Sequence, residues 1–315
     1  MSPKRWLQIT AGFFMVFLGL IFGLTYTVDP FERRSEHSLE FDRQSVNEKQ
    51  NVALWTVLDI GKHGNEKLSQ ANLLILGDSR AELLTSELDN PRVTEFEGHQ
   101  IVNLAIGGAS VSESVEILDR IEEYVDGFPE LKAVVIAVPF LRFCEQERES
   151  RVEENVRMLA QPWRYYFNDL VLRRSLVSLA KLKKVQAKKG KLEISRNAIL
   201  NEWLRSYQSY SKELVATRIK LIQDLRKKLA QRGVELLLYS PPGGGSRFDV
   251  IQKAGLADQR SQFVREMESI AIYRDLSNAT KISGEELLYP TDPVHHDRGH
   301  LILHFLLREG LIKKP

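Results

Sequence analysis

Cysteine is almost absent from the chain: its 315 residues include one, Cys144, so no disulfide can form within it. The neighbours of Cys144 are apolar, which predicts a buried thiol rather than a reactive one. An excess of charge of one sign is also missing, since 44 basic residues face 42 acidic ones and the net charge is +2. A chain with so little net charge has no global field that would recruit nucleic acid, so we expect no nucleic-acid partner.

The glycine patterns of nucleotide-binding proteins are missing too, because neither Gly-x-Gly-x-x-Gly nor a Walker motif occurs in the sequence. We therefore disfavour a nucleotide-binding α/β protein and predict no cofactor. No internal repeat or low-complexity tract is evident, and 43% hydrophobic with 27% charged content suits one large globular domain.

Charged side chains are absent from residues 6–28, which are otherwise strongly apolar. At about 1.5 Å per residue, this stretch is long enough to cross a hydrocarbon core of about 30 Å. Residues 23–29 offer no small-x-small cleavage site, so we favour an uncleaved anchor over a signal peptide. Lys4 and Arg5 precede the span, and the positive-inside rule then predicts a single-pass protein of the inner (cytoplasmic) membrane with its N-terminus in the cytoplasm. The main domain is expected to be extracytoplasmic (periplasmic).

Four segments are predicted along the chain. They are a cytoplasmic tail at 1–5, a transmembrane anchor at 6–28, a juxtamembrane stalk at 29–70 and an α/β domain at 71–315. The stalk sequence is polar and irregular, apart from one apolar stretch at 52–60.

The α/β prediction comes from short apolar runs that alternate with amphipathic, helix-like stretches. The runs fall at 71–76, 100–104, 131–138, 234–240 and, more weakly, 270–276. They have no clean polar alternation, which is typical of strands buried on both faces. The sequence therefore predicts a central parallel sheet of about five strands with helices on both sides.

One connection in this pattern is oversized: residues 145–213 separate the third and fourth runs and look mainly helical. This insertion carries a lysine-rich run, 181–191, close after the aromatic segment 163–167. A solvated helical face explains such a run best. Contact with anionic headgroups or an acidic polymer is the alternative.

Ser79 ends the segment Gly77-Asp78-Ser79, which follows the first predicted strand and precedes a short helix-like stretch. A serine hydroxyl needs a general base, a group that orients the base and donors for the oxyanion. The Ser79 N–H would lie at a helix start and is the first candidate oxyanion donor.

Two further motifs supply the other parts. Asn103-Leu-Ala-Ile-Gly107-Gly108 follows the second strand, and a glycine there lets the backbone approach a substrate with a free N–H. Asp292-Pro-Val-His295 lies near the C-terminus, at a spacing that lets Asp292 orient His295 while the other imidazole nitrogen faces the serine.

In this order and context, the motifs resemble those of the SGNH or GDSL hydrolases. The resemblance implies a flavodoxin-like three-layer sandwich and acyl transfer through an acyl-serine. Ser79 would be the nucleophile, His295 the base and Asp292 its orienting group, and Gly107, Gly108 and Asn103 would belong to the oxyanion and substrate site. Arg80, like Arg142, could lie near the mouth of the site and favour an anionic substrate.

The chain departs from the family pattern after the third strand. A Gly-x-Asn-Asp block there supplies an oxyanion-hole Asn in the family, whereas residues 137–142 read Ala-Val-Pro-Phe-Leu-Arg. Membrane-anchored bacterial relatives that resemble polysaccharide O-acetyltransferases often lack that block, which favours this branch over a secreted lipase.

Three further histidines near the C-terminus are candidate metal ligands or bases. His296, His300 and His304 recur every four residues, as metal ligands on one helix face can, but no carboxylate completes a His-Glu-x-x-His motif. We therefore predict no metal site. His296 is an alternative base, although the Asp-x-x-His spacing favours His295.

The sequence thus predicts a membrane-anchored serine acyl-esterase or O-acyltransferase, acting on O-acetyl groups of an envelope or exported polysaccharide. Its expected partners are an acylated carbohydrate or acyl donor and a membrane protein that supplies acyl groups. The alternative, motivated by the missing Asn block and the basic insertion, is a weakly active or inactive scaffold or carbohydrate-binding component of an envelope polysaccharide or secretion complex.

Overall fold

The computed structural model describes residues 2–30, 49–146, 149–181, 196–243, 245–279, 281–282, 285–286 and 298–308. The strands are β1 (Leu73–Leu76), β2 (Val93–Phe96), β3 (His99–Asn103), β4 (Ala133–Ala137), β5 (Glu235–Ser240), β6 (Ile272–Asp275), β7 (Lys281–Ile282) and β8 (Glu285–Glu286).

The helices fall before, between and after these strands. They are α1 (Pro3–Val28), α2 (Lys49–Gly61), α3 (Gly64–Ser69), α4 (Ser79–Glu82), α5 (Val111–Tyr124), α6 (Phe140–Cys144), α7 (Val152–Ala160), α8 (Pro162–Tyr166), α9 (Asp169–Lys181), α10 (Arg196–Gln208), α11 (Lys212–Gln231), α12 (Gly245–Lys253), α13 (Ala257–Ile270) and α14 (Gly299–Leu306).

The chain divides into two compact units, each built from two segments. One unit comprises residues 1–62 and 154–191, and the other comprises residues 63–153 and 192–315. Part of the predicted insertion therefore belongs with the N-terminal helices, and the chain passes between the units at three points.

The larger unit contains a six-stranded sheet in the order β2-β3-β1-β4-β5-β6. All neighbours are parallel except β2 and β3, which form an antiparallel pair at one edge. The five apolar runs are confirmed as β1, β3, β4, β5 and β6, and in chain order these parallel strands are arranged 2-1-3-4-5. The sequence did not predict β2, because Val-Thr-Glu-Phe is short and partly exposed.

The core of this unit is built from strands that are buried on both faces. All four residues of β1 and all five of β4 are buried. Alternate residues of β1, β4 and β5 join apolar side chains of α4 and α14 in one cluster. Helix α5 contacts β1, and α11 contacts β5. The coarse α/β prediction is therefore confirmed.

Helix α14 contacts α4 closely at Gly299. A Cβ at this position would lie 1.8 Å from the Leu83 carbonyl oxygen and 2.9 Å from the Leu84 Cα. Only glycine permits this approach, and Leu84, Ile302 and Leu303 bury completely around it. The start of α14 is thereby fixed beside the end of α4.

The smaller unit is helical. Within the part of the chain that is described, α1 is long and apolar enough to cross a bilayer. The predicted irregular stalk is instead helical from residue 49 to 61 and from 64 to 69, because the apolar stretch at 52–60 buries Leu54 and Leu58 against Tyr165 and Val171. The insertion is mainly helical where it is described, as expected, whereas the lysine-rich run lies outside the described residues after Lys181.

We expect Gly299→Ala to lower the melting temperature of the full-length protein in detergent, measured by circular dichroism. Helix propensity alone would make this change stabilising by about 1 kcal/mol, but the clash with Leu83 should cost about 1–3 kcal/mol or more. Gly127→Ala is the control, since its φ of +92° costs backbone strain but nothing lies within 4 Å of the added Cβ. A higher melting temperature for Gly299→Ala would contradict the close contact between α14 and α4.

Candidate active site

The turn after β1 depends on Gly77. Its φ is +135°, and a Cβ would lie 2.8 Å from the Ala137 Cβ and 3.0 Å from the Ala81 Cβ. Glycine is therefore required both for the backbone conformation and for the close approach of β4. The turn delivers Ser79, which is half-buried, as the first residue of α4.

The glycine turn after β3 lies directly beside the serine turn. The Leu104 N–H donates to the Ile75 carbonyl at 2.8 Å, and the Ile106 N–H donates to the Gly77 carbonyl at 3.0 Å. Gly107 and Gly108 follow at once, half-buried, and Gly108 has a φ of +72°. Among the residues that the structure describes, neither glycine donates its N–H to another. The geometry thus brings the predicted oxyanion donors to the serine turn.

Asp78, between Gly77 and Ser79, is buried and bound by two guanidinium groups. Its Oδ1 accepts from the Arg80 N–H at 3.0 Å, which caps α4, and the Arg80 side chain binds both carboxylate oxygens. Arg142 donates from Nε to Oδ2 at 3.0 Å. Burial by itself would raise the pKa of Asp78, but Arg80 and Arg142 lower that pKa well below its ordinary value. Asp78 is therefore a fixed anion and not a proton acceptor near neutral pH.

Arg80 lies in the interior and not at the mouth of the site: its relative exposure is 1%. Its Nε and Nη2 atoms bind the Asp78 carboxylate, so in this structure the Arg80 side chain holds the serine turn from the interior. Arg142 is more accessible, with a side chain that is 16% exposed and also binds Glu145 at 2.6 Å. Of the two arginines, Arg142 is the one that borders a small cavity with Asp78 and Ser110.

Asn103 is fully buried, and its amide is engaged by the protein. Its Nδ2 donates to the Ala81 carbonyl at 3.1 Å and to the Thr85 Oγ1 at 2.7 Å, while its Oδ1 accepts from the Ala105 N–H at 3.0 Å. In this structure Asn103 thus connects the end of β3 to α4 instead of facing a substrate.

Arg92 also holds the glycine turn in place, and no sequence motif predicts this role. Its guanidinium donates to the Ala105 carbonyl at 2.8 Å and to Glu82 at 2.5 Å, which ties the glycine turn to α4 from a second side. An arginine ten residues beyond α4 carries no motif, so only the fold reveals this contact.

The turn after β4 contains no asparagine, as the sequence showed, and leads into α6 at Pro139. Arg218 of α11 holds the end of α6, because its Nη1 donates to the carbonyls of Phe143 at 3.0 Å and Glu145 at 2.6 Å. Arg142 is thereby fixed in the position from which it reaches Asp78.

Asp292, His295 and His296 lie outside the described residues. The chain resumes at Arg298, whose N–H donates to the Glu87 Oε1 at 2.7 Å. His300 contacts Glu87 as well, and His304 lies 3.2 Å from the Glu97 Oε1. The two described histidines of the predicted row therefore pair with separate glutamates, and the described residues contain no group of side chains that could hold a metal ion.

Comparison with protein-family models, with curated proteins and with solved structures gave no match.

Cys144 ends α6 and is completely buried, as its apolar neighbours predicted. Burial raises the pKa of its thiol to about 12, in spite of the opposing effect of Arg218. The thiolate is the reactive form of cysteine, so a buried thiol with this pKa reacts slowly.

We expect Asp78→Asn to destabilise the protein by about 3–5 kcal/mol near neutral pH, because Arg80 and Arg142 would lose their buried counter-ion. The pKa of Asp78 is lowered in the folded state, so its stabilisation is complete above the unfolded pKa of about 3.9 and is lost as the pH falls below it. The difference in stability between variant and wild type should then shrink below pH 4. Thermal unfolding across a pH series measures this difference.

Glu145→Gln is the matched control, since it removes the other carboxylate on Arg142 from a more exposed position. A partly exposed pair is worth about 1 kcal/mol or less. Equal losses of stability in the two variants would contradict the buried pairing of Asp78 with two arginines.

We expect maleimide to modify native protein slowly at pH 8 and unfolded protein rapidly, because Cys144 is shielded only by the fold. Mass spectrometry after timed quenching measures both rates. Rapid modification of the native state would show that α6 opens.

Proposed function

We propose that the chain is a membrane-anchored serine acyl-esterase or O-acyltransferase of the SGNH type, with a flavodoxin-like sandwich around its sheet. The observation that carries this proposal is the contact between the serine turn and the glycine turn, made by the Ile106 N–H and the Gly77 carbonyl. Both turns lie at the carboxyl ends of adjacent parallel strands, β1 and β3, where sheets with this strand order bind ligands.

Ser79 is the nucleophile in this proposal, and its base must come from outside the turn. Asp78 is held by two guanidinium groups and Glu82 is paired with Arg92, so neither neighbouring carboxylate is suited to accept the serine proton. A separate element must therefore supply the base.

His295 is the proposed base, with Asp292 as its orienting carboxylate. The chain from His295 to Gly299 can extend over about 14 Å, and α4 rises about 6 Å between Ser79 and Leu83. Because Gly299 touches Leu83, the chain is long enough for His295 to reach Ser79.

The N–H groups of Ser79 and of Gly107 or Gly108 are the proposed oxyanion donors. Their position supports this assignment, since the two turns are joined by a backbone hydrogen bond. The turn after β4 contains no side-chain amide that could add a further donor.

The proposed substrate is an O-acetylated envelope or exported polysaccharide, and an acyl donor or a membrane protein that supplies acyl groups is the proposed partner. Helix α1 supports this setting, because it is long and apolar enough to hold the domain at a membrane. The basic residues before it favour an N-terminus in the cytoplasm of an inner-membrane protein and an extracytoplasmic domain.

We expect a fluorophosphonate probe to label the full-length protein, and Ser79→Ala to abolish this labelling. The wild type should also release p-nitrophenol from p-nitrophenyl acetate faster than the variant. Ser86→Ala is the matched control, since Ser86 lies on the same segment but is exposed and bonded to the Leu83 carbonyl.

Equal labelling of Ser79→Ala and wild type would place the reactive group elsewhere. Absence of both labelling and ester cleavage in the wild type would overturn the enzymatic proposal in favour of a non-catalytic scaffold.

A further inference from the structure

Large apolar side chains are exposed along α8 and α9, in a part of the chain that the proposed chemistry does not use. Trp163 and Phe167 are 58% and 42% exposed, and Leu176, Val177 and Leu179 are 52%, 40% and 42% exposed. We name these five residues the α8–α9 apolar surface. Exposed apolar groups in such number are typical of an interaction site and not of a water-facing helix.

This surface is attached to the end of α1. The Thr25 hydroxyl donates to the Tyr166 carbonyl at 2.8 Å, and the Tyr165 hydroxyl donates to the Asp29 Oδ1 at 2.7 Å. The ring centroid of Phe22 lies 5.1 Å from that of Tyr166 and 6.2 Å from that of Phe167. Helix α9 also packs against α1. Phe22 and Phe167 are therefore exposed to the same surroundings, either water or lipid.

The length of α1 indicates how deep in a bilayer the contact between Phe22 and Phe167 would lie. Lys4 and Arg5 stay outside hydrocarbon, and about 20 residues of helix then cover a core of about 30 Å. Counted from Trp6, the other boundary falls near Tyr26. Phe22 would lie about 6 Å inside that boundary, and Asp29 would lie just outside it, where its bond to Tyr165 is in polar surroundings.

The outer face of α9 changes character along its axis. Its first turn carries an exposed ion pair between Asp169 and Arg173, at 3.4 Å, and both side chains are more than 70% exposed. Among residues 174–179, the exposed positions are Leu176, Val177 and Leu179. A charged first turn followed by an apolar face suits the boundary between headgroups and acyl chains.

We propose that the α8–α9 apolar surface is embedded in the lipid bilayer, at the interface where α1 ends. Lipid acyl chains cover the five apolar side chains, while Asp169 and Arg173 stay among the headgroups. The membrane attachment of this protein thus consists of a spanning helix together with an interfacial helix pair. This inference requires that α1 spans a membrane but is independent of the proposed catalytic function.

Nitroxide accessibility tests the proposal in the full-length protein reconstituted in lipid nanodiscs. Leu176→Cys, Val177→Cys and Leu179→Cys each receive a spin label, and the buried Cys144 serves as an unlabelled background. We expect frequent collisions with oxygen and rare collisions with a water-soluble nickel chelate at all three positions. Lys227→Cys is the aqueous control, because Lys227 is an exposed residue of α11 in the sheet-containing unit.

Nickel collisions at the three positions as frequent as at Lys227→Cys would overturn the proposal. Spin–spin broadening that disappears on dilution with unlabelled protein would also overturn it, because a second copy of the chain would then cover the surface.

Tryptophan quenching provides an independent measurement. The difference in fluorescence between wild type and Trp163→Phe reports on Trp163 and not on the other three tryptophans. We expect brominated acyl chains to quench this difference. An unquenched difference would contradict the embedded position.

Discussion

The carboxylate of Asp78 binds two guanidinium groups that are far apart from each other in the sequence. Arg80 is two residues away, whereas Arg142 follows β4 and is 64 residues away. Since Asp78 also caps α4, this one charge fixes the start of the helix that carries Ser79 and ties it to the turn after β4. A buried ion pair of this kind adds little net stability over apolar packing, but it selects one arrangement, because leaving any of its charges unpaired is costly.

The parallel strands were predictable because a strand that is buried on both faces consists of an uninterrupted apolar run. Leu73 to Leu76 and Ala133 to Ala137 consist only of apolar residues, and the fold buries every one of them. The serine and glycine turns were predictable for a related reason, since each follows such a run and the carboxyl ends of parallel strands meet at one edge. The edge strand β2 escaped prediction because one side chain in it is exposed and the others are half-buried.

Contacts between distant residues escaped prediction for a different reason. Arg92, Arg142 and Arg218 belong to none of the sequence motifs, yet each is fixed by carbonyl or carboxylate groups that only the fold brings near. The family resemblance predicts that Asn103 belongs to the oxyanion and substrate site, whereas in the structure its amide is engaged with α4 and the glycine turn. Sequence patterns predicted that the serine and glycine turns lie at one edge of the sheet, but they did not show which polar groups there are engaged by the protein itself.

The turn after β4 contains no asparagine and leads to Arg142. In the family that the motifs resemble, this turn presents an oxyanion donor, whereas here it leads into α6 and sends Arg142 to Asp78. On the proposed function, the oxyanion is then held by backbone N–H groups of the two neighbouring turns, and loss of one donor costs about 10²–10³ in rate. Positioning of the acceptor can offset such a loss, because a bound and oriented hydroxyl reacts as if at very high concentration, whereas bulk water gains nothing from binding. On the proposed function, transfer to a bound hydroxyl is therefore favoured over rapid hydrolysis.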